Sequence, residues 1–169
     1  MAHIVHEELF VHTSPPGLIA VTTNSIVKSD GGLVMGRGSA GEIARLVPEI
    51  RFEGVRAIKR AWPNMKLDGT QDYGFIVVRM PTEKSTGIGF LQAKRNWMDT
   101  SSRQTIVTGL DMLSEWASQR PDIQIRSVIP GWGCGQIGRG ERLDKDELLA
   151  LCGALPDNVK FCIRRSDVT

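Results

Sequence analysis

Three observations predict an α/β domain of three layers, with helices packed over a mixed central sheet. Short β-branched runs alternate along the chain with amphipathic helical segments, the pattern of strands covered by helices. Two glycine-rich stretches each follow an apolar run and precede a capped helix. The chain has 169 residues, and at roughly 100–200 residues per domain that is one domain, spanning 1–169.

Each element has its own reason. Candidate strands are Ile4–Glu8, Leu18–Thr23, Tyr73–Met80, Ile88–Gln92, Ile125–Ile129 and Val159–Arg164. Most are short and too apolar to face water on both sides, which suits burial under helices. A helix is expected from Ser39 to about Val47, before Pro48, and a further helical piece over 49–61, before Pro63. The residue ahead of a proline is driven out of the helical region, so these prolines mark helix ends. Tyr73–Met80 and Ile88–Gln92 are separated only by a short polar loop, which fits an antiparallel hairpin and makes the sheet mixed.

The clearest helix is Ser102–Gln119. Its apolar residues Ile106, Leu110, Leu113 and Ala117 recur on one face, flanked by Val107 and Trp116. Ser101 and Gln104 have the spacing of a capping box, and Pro121 follows the helix end. A further helix runs from about Lys145 to Ala154, capped by Asp144. Leu143 and Leu148 fit a hydrophobic staple across its start, and Leu148, Leu151, Cys152 and Leu155 form its buried face.

Composition excludes several classes. The 41% hydrophobic and 24% charged fractions are those of a globular domain, not of a disordered, collagenous or coiled-coil chain. A net charge of +2 is too small to argue for nucleic-acid binding by itself. Cys134, Cys152 and Cys162 have no CxxC spacing, which fits a reducing compartment. No apolar run approaches the ~18 residues of a membrane span. The opening residues, MAHIVHEELF, lack the basic and apolar regions of a secretory signal. A cytoplasmic protein with no membrane partner is therefore expected. His3, His6 and His12 have neither cysteine company nor HExxH spacing, so no metal is expected, and no cofactor. No GxSxG supports a serine triad.

Glycine is the compositional oddity, with 18 in 169 residues, about 11% against about 7% in average usage. Ten of the eighteen fall in two windows: Gly31, Gly32, Gly36, Gly38 and Gly41, then Gly131, Gly133, Gly135, Gly138 and Gly140. Both windows run from a strand into a helix, where an α/β sheet places its ligand crevice. Glycine lets backbone N–H groups approach a ligand closely. The helix N-terminus adds free donors and a positive dipole end, so an anion such as a diphosphate is the natural guest. Neither window is a P-loop, since no GK[ST] follows, and neither is a clean dinucleotide fingerprint.

In order, these segments resemble the macro domain family, the ADP-ribose-binding α/β/α fold. Ile19–Asn24 (IAVTTN) is similar to the strand that ends in a polar residue at the distal ribose. Val34–Ala40 (VMGRGSA) resembles the MGxGIA turn into the first helix. Ile129–Gly135 (IPGWGCG) resembles the diphosphate loop of the GCG branch, which includes terminal ADP-ribose protein glycohydrolase and phage and bacterial relatives. The resemblance covers nearly the whole chain. It implies ADP-ribose or an ADP-ribosylated macromolecule as partner, with nucleic acid only as a modified substrate. It implies backbone contacts to the diphosphate from Met35, Gly36, Arg37, Gly38 and Ser39 and from Gly133, Cys134, Gly135, Gln136, Ile137 and Gly138. It implies adenine contacts from Glu8 and Leu9, where Glu8 replaces the aspartate usual in the family. It implies a distal-ribose contact from Asn24. Leu91–Lys94 (LQAK) aligns with the segment bearing a catalytic lysine, so Lys94 is the matching position. The aspartate that completes that mechanism is not matched, because Ile137 stands in its place. Ile26–Leu33 are extra residues in the first loop.

Plainer readings stand beside these. Lys94 as a nucleophile needs an unprotonated amine, which burial or a neighbouring cation such as Arg95 favours; otherwise it is a ribose or phosphate contact, or a solvated strand-end lysine. Asn24 serves either a ribose diol or an Asx turn. Glu8 either accepts from the adenine amino group or is solvated. Trp132 and Trp97 either cover a ligand face or pack in the core, while Trp62 and Trp116 read as structural. Cys134 reads as a small packing residue. Arg37, Arg139, Arg142, Arg164 and Arg165 form either a basic surface for RNA or another nucleotide, or ordinary solvated charges. The resulting expectation is hydrolysis at the ribose C1″ position, with a non-catalytic ADP-ribose reader as the alternative.

Overall fold

The computed structural model describes residues 1–10, 15–98, 101–132 and 143–164. Within them, strands β1 (His3–Val5), β2 (Gly17–Thr23), β3 (Phe75–Arg79), β4 (Gly87–Gln92), β5 (Gln124–Val128) and β6 (Val159–Cys162) form one sheet, in the order β1-β6-β5-β2-β4-β3. Four helices complete the described chain: α1 (Gly38–Leu46), α2 (Ile50–Ala61), α3 (Arg103–Ser118) and α4 (Lys145–Gly153). All neighbouring strands run parallel except the β3–β4 hairpin. The expected mixed sheet and its hairpin are both present.

Side-chain alternation divides the core in two. Along β2, Leu18 and Ala20 join a cluster with Ile106, Leu110 and Leu113 of α3 and Leu148 of α4. Val21 joins the other cluster, with Ala40 and Ile43 of α1 and Ile50, Val55 and Ile58 of α2. Successive strand residues point to opposite faces, so α3 and α4 cover one face and α1 and α2 the other. Burying each large side chain of this kind contributes about 1.5–3 kcal/mol. Trp116 packs edge-on against Phe75, with ring centroids 6.2 Å apart, and Trp62 packs with the α2 side, both structural as expected. Two glycines set the layer spacing. A Cβ at Gly54 of α2 would sit 2.1 Å from the Phe90 ring, and one at Gly109 of α3 would sit 3.1 Å from the Gly74 carbonyl.

Three local expectations are corrected. The first strand stops at Val5 rather than Glu8, because the Glu8 and Leu9 carbonyls accept from Arg126 at 2.7 and 3.3 Å instead of from a neighbouring strand. The cap of α3 is Ser102, whose hydroxyl accepts from the Thr105 amide, so the Ser101–Gln104 capping box does not form. Arg164 is buried and ion-paired with Glu42 of α1, so it belongs to no basic surface. Asp144 caps α4 as expected, accepting from the Glu147 amide at 2.7 Å. No helix among the described residues is long and apolar enough to cross a membrane.

Candidate functional site

The parallel strands bring their carboxyl ends to one edge of the sheet. At the centre of that edge, β2 is followed by α1 on one face, while its neighbour β5 leads to α4 on the other. Adjacent strands whose connections leave to opposite faces open a crevice between them, the usual ligand position in such sheets. Glu8, Leu9, Asn24, Met35–Ser39, Lys94 and Trp132 all follow carboxyl ends of parallel strands, so the fold gathers them along this edge. Gly133, Cys134, Gly135, Gln136, Ile137 and Gly138 lie outside the described residues, as do Arg139, Arg142 and Arg165.

The entry to α1 is left open. Arg37 is its N-cap, in extended backbone, and provides no side-chain capping bond; no acidic residue stands in the first turn. Among the described residues nothing caps the first-turn amides, which stand at the positive end of the helix dipole. Gly36, Arg37 and Gly38 are exposed. Gly38 has φ +60°, which favours glycine, and a Cβ at Gly41 would meet the Gly36 carbonyl at 2.9 Å. Gly36 differs from both: its φ lies outside the left-handed region and a Cβ there would meet nothing within 4 Å among the described residues. Met35 is core. The Ser39 hydroxyl turns inward and accepts from the Thr22 amide at 3.1 Å, which leaves its backbone for the crevice.

On the β5 side, buried Arg126 of that central strand holds the turn after β1. Its guanidinium donates to the Glu7 carboxylate at 3.0 Å as well as to the two carbonyls. Glu8 itself is exposed and Leu9 fully buried. The signal for Arg126 was a charged residue in the middle of an apolar strand.

Asn24 lies beside Lys94 through their backbones. The Ser25 amide donates to the Arg95 carbonyl at 2.9 Å, and the Ala93 and Lys94 amides reach the Thr23 carbonyl at 2.9 and 3.4 Å. The Asn24 side chain donates to the Val34 carbonyl and accepts from the Ile26 amide, each at 3.0 Å. The Asx turn is thus real, and one amide hydrogen remains for another acceptor. The extra loop residues form a small hairpin, Val27 bridging Leu33, with Arg51 donating to both oxygens of Asp30 at 3.0 Å. These bonds, the Gly32 amide first, hold the Asp30 carboxyl below its usual range.

Arg95 is no free cation beside Lys94. It pairs with Asp72 at 2.9 Å, and that hydrogen-bonded carboxylate raises the guanidinium pKa further. Trp132 is half-buried against the α3–α4 core, with Lys145 Nζ 4.9 Å from its ring centroid. Trp97 is 52% exposed and so is not core. The Ser101 hydroxyl is buried with no partner among the described residues; a Cβ at Gly131 would lie 3.3 Å from it. Among the described residues no three His, Cys, Asp or Glu side chains gather as a metal site.

No protein-family model and no curated protein matches this chain. Solved structures do. The macrodomain of Mycobacterium tuberculosis DarG is 22% identical, with TM-score 0.65, covering 97% of this chain and 98% of that one. The macrodomain of Thermus aquaticus DarG is 20% identical, with TM-score 0.64, covering 96% and 97%. Thermosipho africanus DarTG, solved in complex with ADP-ribose, is 18% identical, with TM-score 0.60, covering 86% of this chain and 37% of that one. The chain has the macrodomain fold.

Proposed function

We propose that this protein binds ADP-ribose in the crevice between β2 and β5 and hydrolyses the bond at its distal-ribose C1″, freeing ADP-ribose from a modified macromolecule or a small derivative. Gly36 carries the reading. Neither backbone conformation nor any described neighbour within 4 Å requires glycine there, and a ligand lying against the loop gives a reason for it. The open amides of α1, from Gly38 to Ala40, donate to the diphosphate with the helix dipole behind them. The resemblance assigns Gly133–Gly138 to the same diphosphate. The Arg126-held turn presents the exposed Glu8 to the adenine above the buried Leu9, and Asn24 offers its remaining N–H to the distal ribose. The likeness in fold to a DarTG solved with ADP-ribose supports the same ligand. The setting is the cytoplasm, where Cys152 and Cys162 stay free thiols.

Hydrolysis breaks the bond from C1″ to the acceptor group and forms one from C1″ to a water oxygen; the water's proton leaves with the acceptor. Lys94, at the ribose end, supplies the positioned group that this step needs. A second reading is an ADP-ribose reader without turnover. It is favoured by Ile137, an apolar residue where the resemblance places an aspartate.

The test is release of ADP-ribose from ADP-ribosylated protein and oligonucleotide, after calorimetric titration with free ADP-ribose. Saturable binding with release that Lys94→Ala abolishes is expected. Binding without release leaves the reader. Absence of binding at high micromolar ADP-ribose overturns both.

A further inference from the structure

Behind Asn24 and Lys94 lies a polar cluster that no motif announced. Tyr73, fully buried, donates its hydroxyl to the Asn24 carbonyl at 2.8 Å and also bonds the Thr23 hydroxyl. Burial raises its phenol well above the ordinary value, so the group stays a neutral donor. The Tyr73 amide in turn donates to Gln92 Oε1 at 2.7 Å, and the Gly74 amide to the same oxygen at 3.1 Å. Gln92 Nε2 donates to the Lys94 carbonyl at 3.0 Å and to Asp72 Oδ1 at 3.2 Å. Asp72 also receives Arg95 and, at 2.9 Å, the Thr105 hydroxyl from the first turn of α3. Gly74, at φ +77°, and Gly109 let α3 close against this cluster.

Each end of the network grips one side of the ribose end of the crevice. Tyr73 holds the strand end that carries Asn24. Gln92 and Asp72 hold the strand end that carries Lys94 and Arg95. Thr23 and Ser25 join the two through backbone bonds to residues 93–95. A buried network with its groups satisfied is rigid, and displacements of about 1 Å in a reacting group cost roughly 100-fold in rate.

We infer that Asp72, Tyr73 and Gln92 are positioning residues that lock the Asn24 and Lys94 strand ends into one register, so that both meet the distal ribose together. The functional half of this inference rests on the reading proposed above; the mechanical half does not.

Two mild variants of the full chain test it, Tyr73→Phe, which keeps the ring, and Asp72→Asn, which keeps the shape. The first readout is amide hydrogen exchange by NMR, which needs no ligand. Each variant is expected to speed exchange by about tenfold, the worth of roughly one hydrogen bond, at Ser25 and at Ala93 and Lys94 alike. Leu110 and Leu113 in α3 are expected to exchange unchanged. Faster exchange only in the segment each variant touches overturns the coupling. A rise throughout the chain, tracking a fall in Tm, makes the cluster merely structural and also overturns it. The second readout is turnover. Each variant is expected to lower kcat about tenfold with KM within about twofold, and to change nothing further in a Lys94→Ala background. Equal losses in kcat and 1/KM contradict positioning. If the parent protein neither binds ADP-ribose nor releases it, the functional reading fails, and the exchange pattern still decides whether the two strand ends are locked.

Discussion

The two ends of the crevice treat their polar groups in opposite ways. At the start of α1 the backbone is exposed and uncapped, and the first-turn amides are left without a side-chain partner. At the end of β4, Gln92 is fully buried, and its side chain bonds Tyr73, Gly74, Gln71, Asp72 and Lys94. Leaving donors open costs stability unless water or a ligand answers them. Saturating them orders the chain before any ligand arrives. The contrast assigns α1 to binding by backbone and the β4 end to holding side chains in place.

The sharpest way to break the contrast is at Gly36. Gly36→Val adds a side chain where no described residue comes within 4 Å. Tm is expected to stay within a degree or two of the parent, while ADP-ribose affinity falls roughly 100-fold, about 2.7 kcal/mol. Thermal melting and calorimetry on the same sample separate the two effects. Equal loss of stability would mean that the glycine serves the fold.

Arg126→Met probes the adenine side, which mixes both habits: an exposed Glu8 on a turn held by a buried cation. The Glu8 and Leu9 carbonyls lose their donors, so stability is expected to fall by about 1–3 kcal/mol. Affinity for ADP-ribose should fall while affinity for ribose 5-phosphate, which lacks the adenine, stays level. A parallel loss for both ligands would contradict a role confined to the adenine turn.

Glu53→Gln is the smallest expected effect and lies away from both ends. Arg79 donates to both oxygens of Glu53 at 2.7 and 2.8 Å, and this hydrogen bonding holds the carboxyl below its usual value. The stabilisation is present above the ordinary carboxylate range and is lost as pH falls through the depressed folded value. The pair is partly exposed, so the variant should lose only about 0.5 kcal/mol near neutral pH. Melts run at stepwise lower pH should show that difference closing, with ADP-ribose affinity near neutral pH unchanged.

Much of the fold was legible because its signals are local. The stripe of Ile106, Leu110, Leu113 and Ala117 has the period of a helix, and Asp144 caps α4 where its spacing puts it. The helix stops at Pro48 and Pro63 came from backbone sterics of the same range. The glycine excess pointed to the open α1 turn for a similar reason. What stayed hidden depends on partners far apart in the chain. Arg126 meets Glu7 across 119 residues, and Asp72 meets Thr105 across 33. Arg95 reads locally as a cation beside Lys94, but its partner Asp72 lies 23 residues away. The cap is Ser102 and not Ser101, a shift of one residue. A lone Gln at the end of an apolar strand was the one local hint of the network behind Lys94.

The most direct test of ADP-ribose binding at the open α1 turn is a paired calorimetric titration of the parent protein and Gly36→Val with ADP-ribose. The expected result is saturable binding at one site per chain in the parent and a roughly 100-fold weaker affinity in the variant at unchanged Tm. No heat of binding in the parent at high micromolar ADP-ribose, or equal affinity in both proteins, would contradict it.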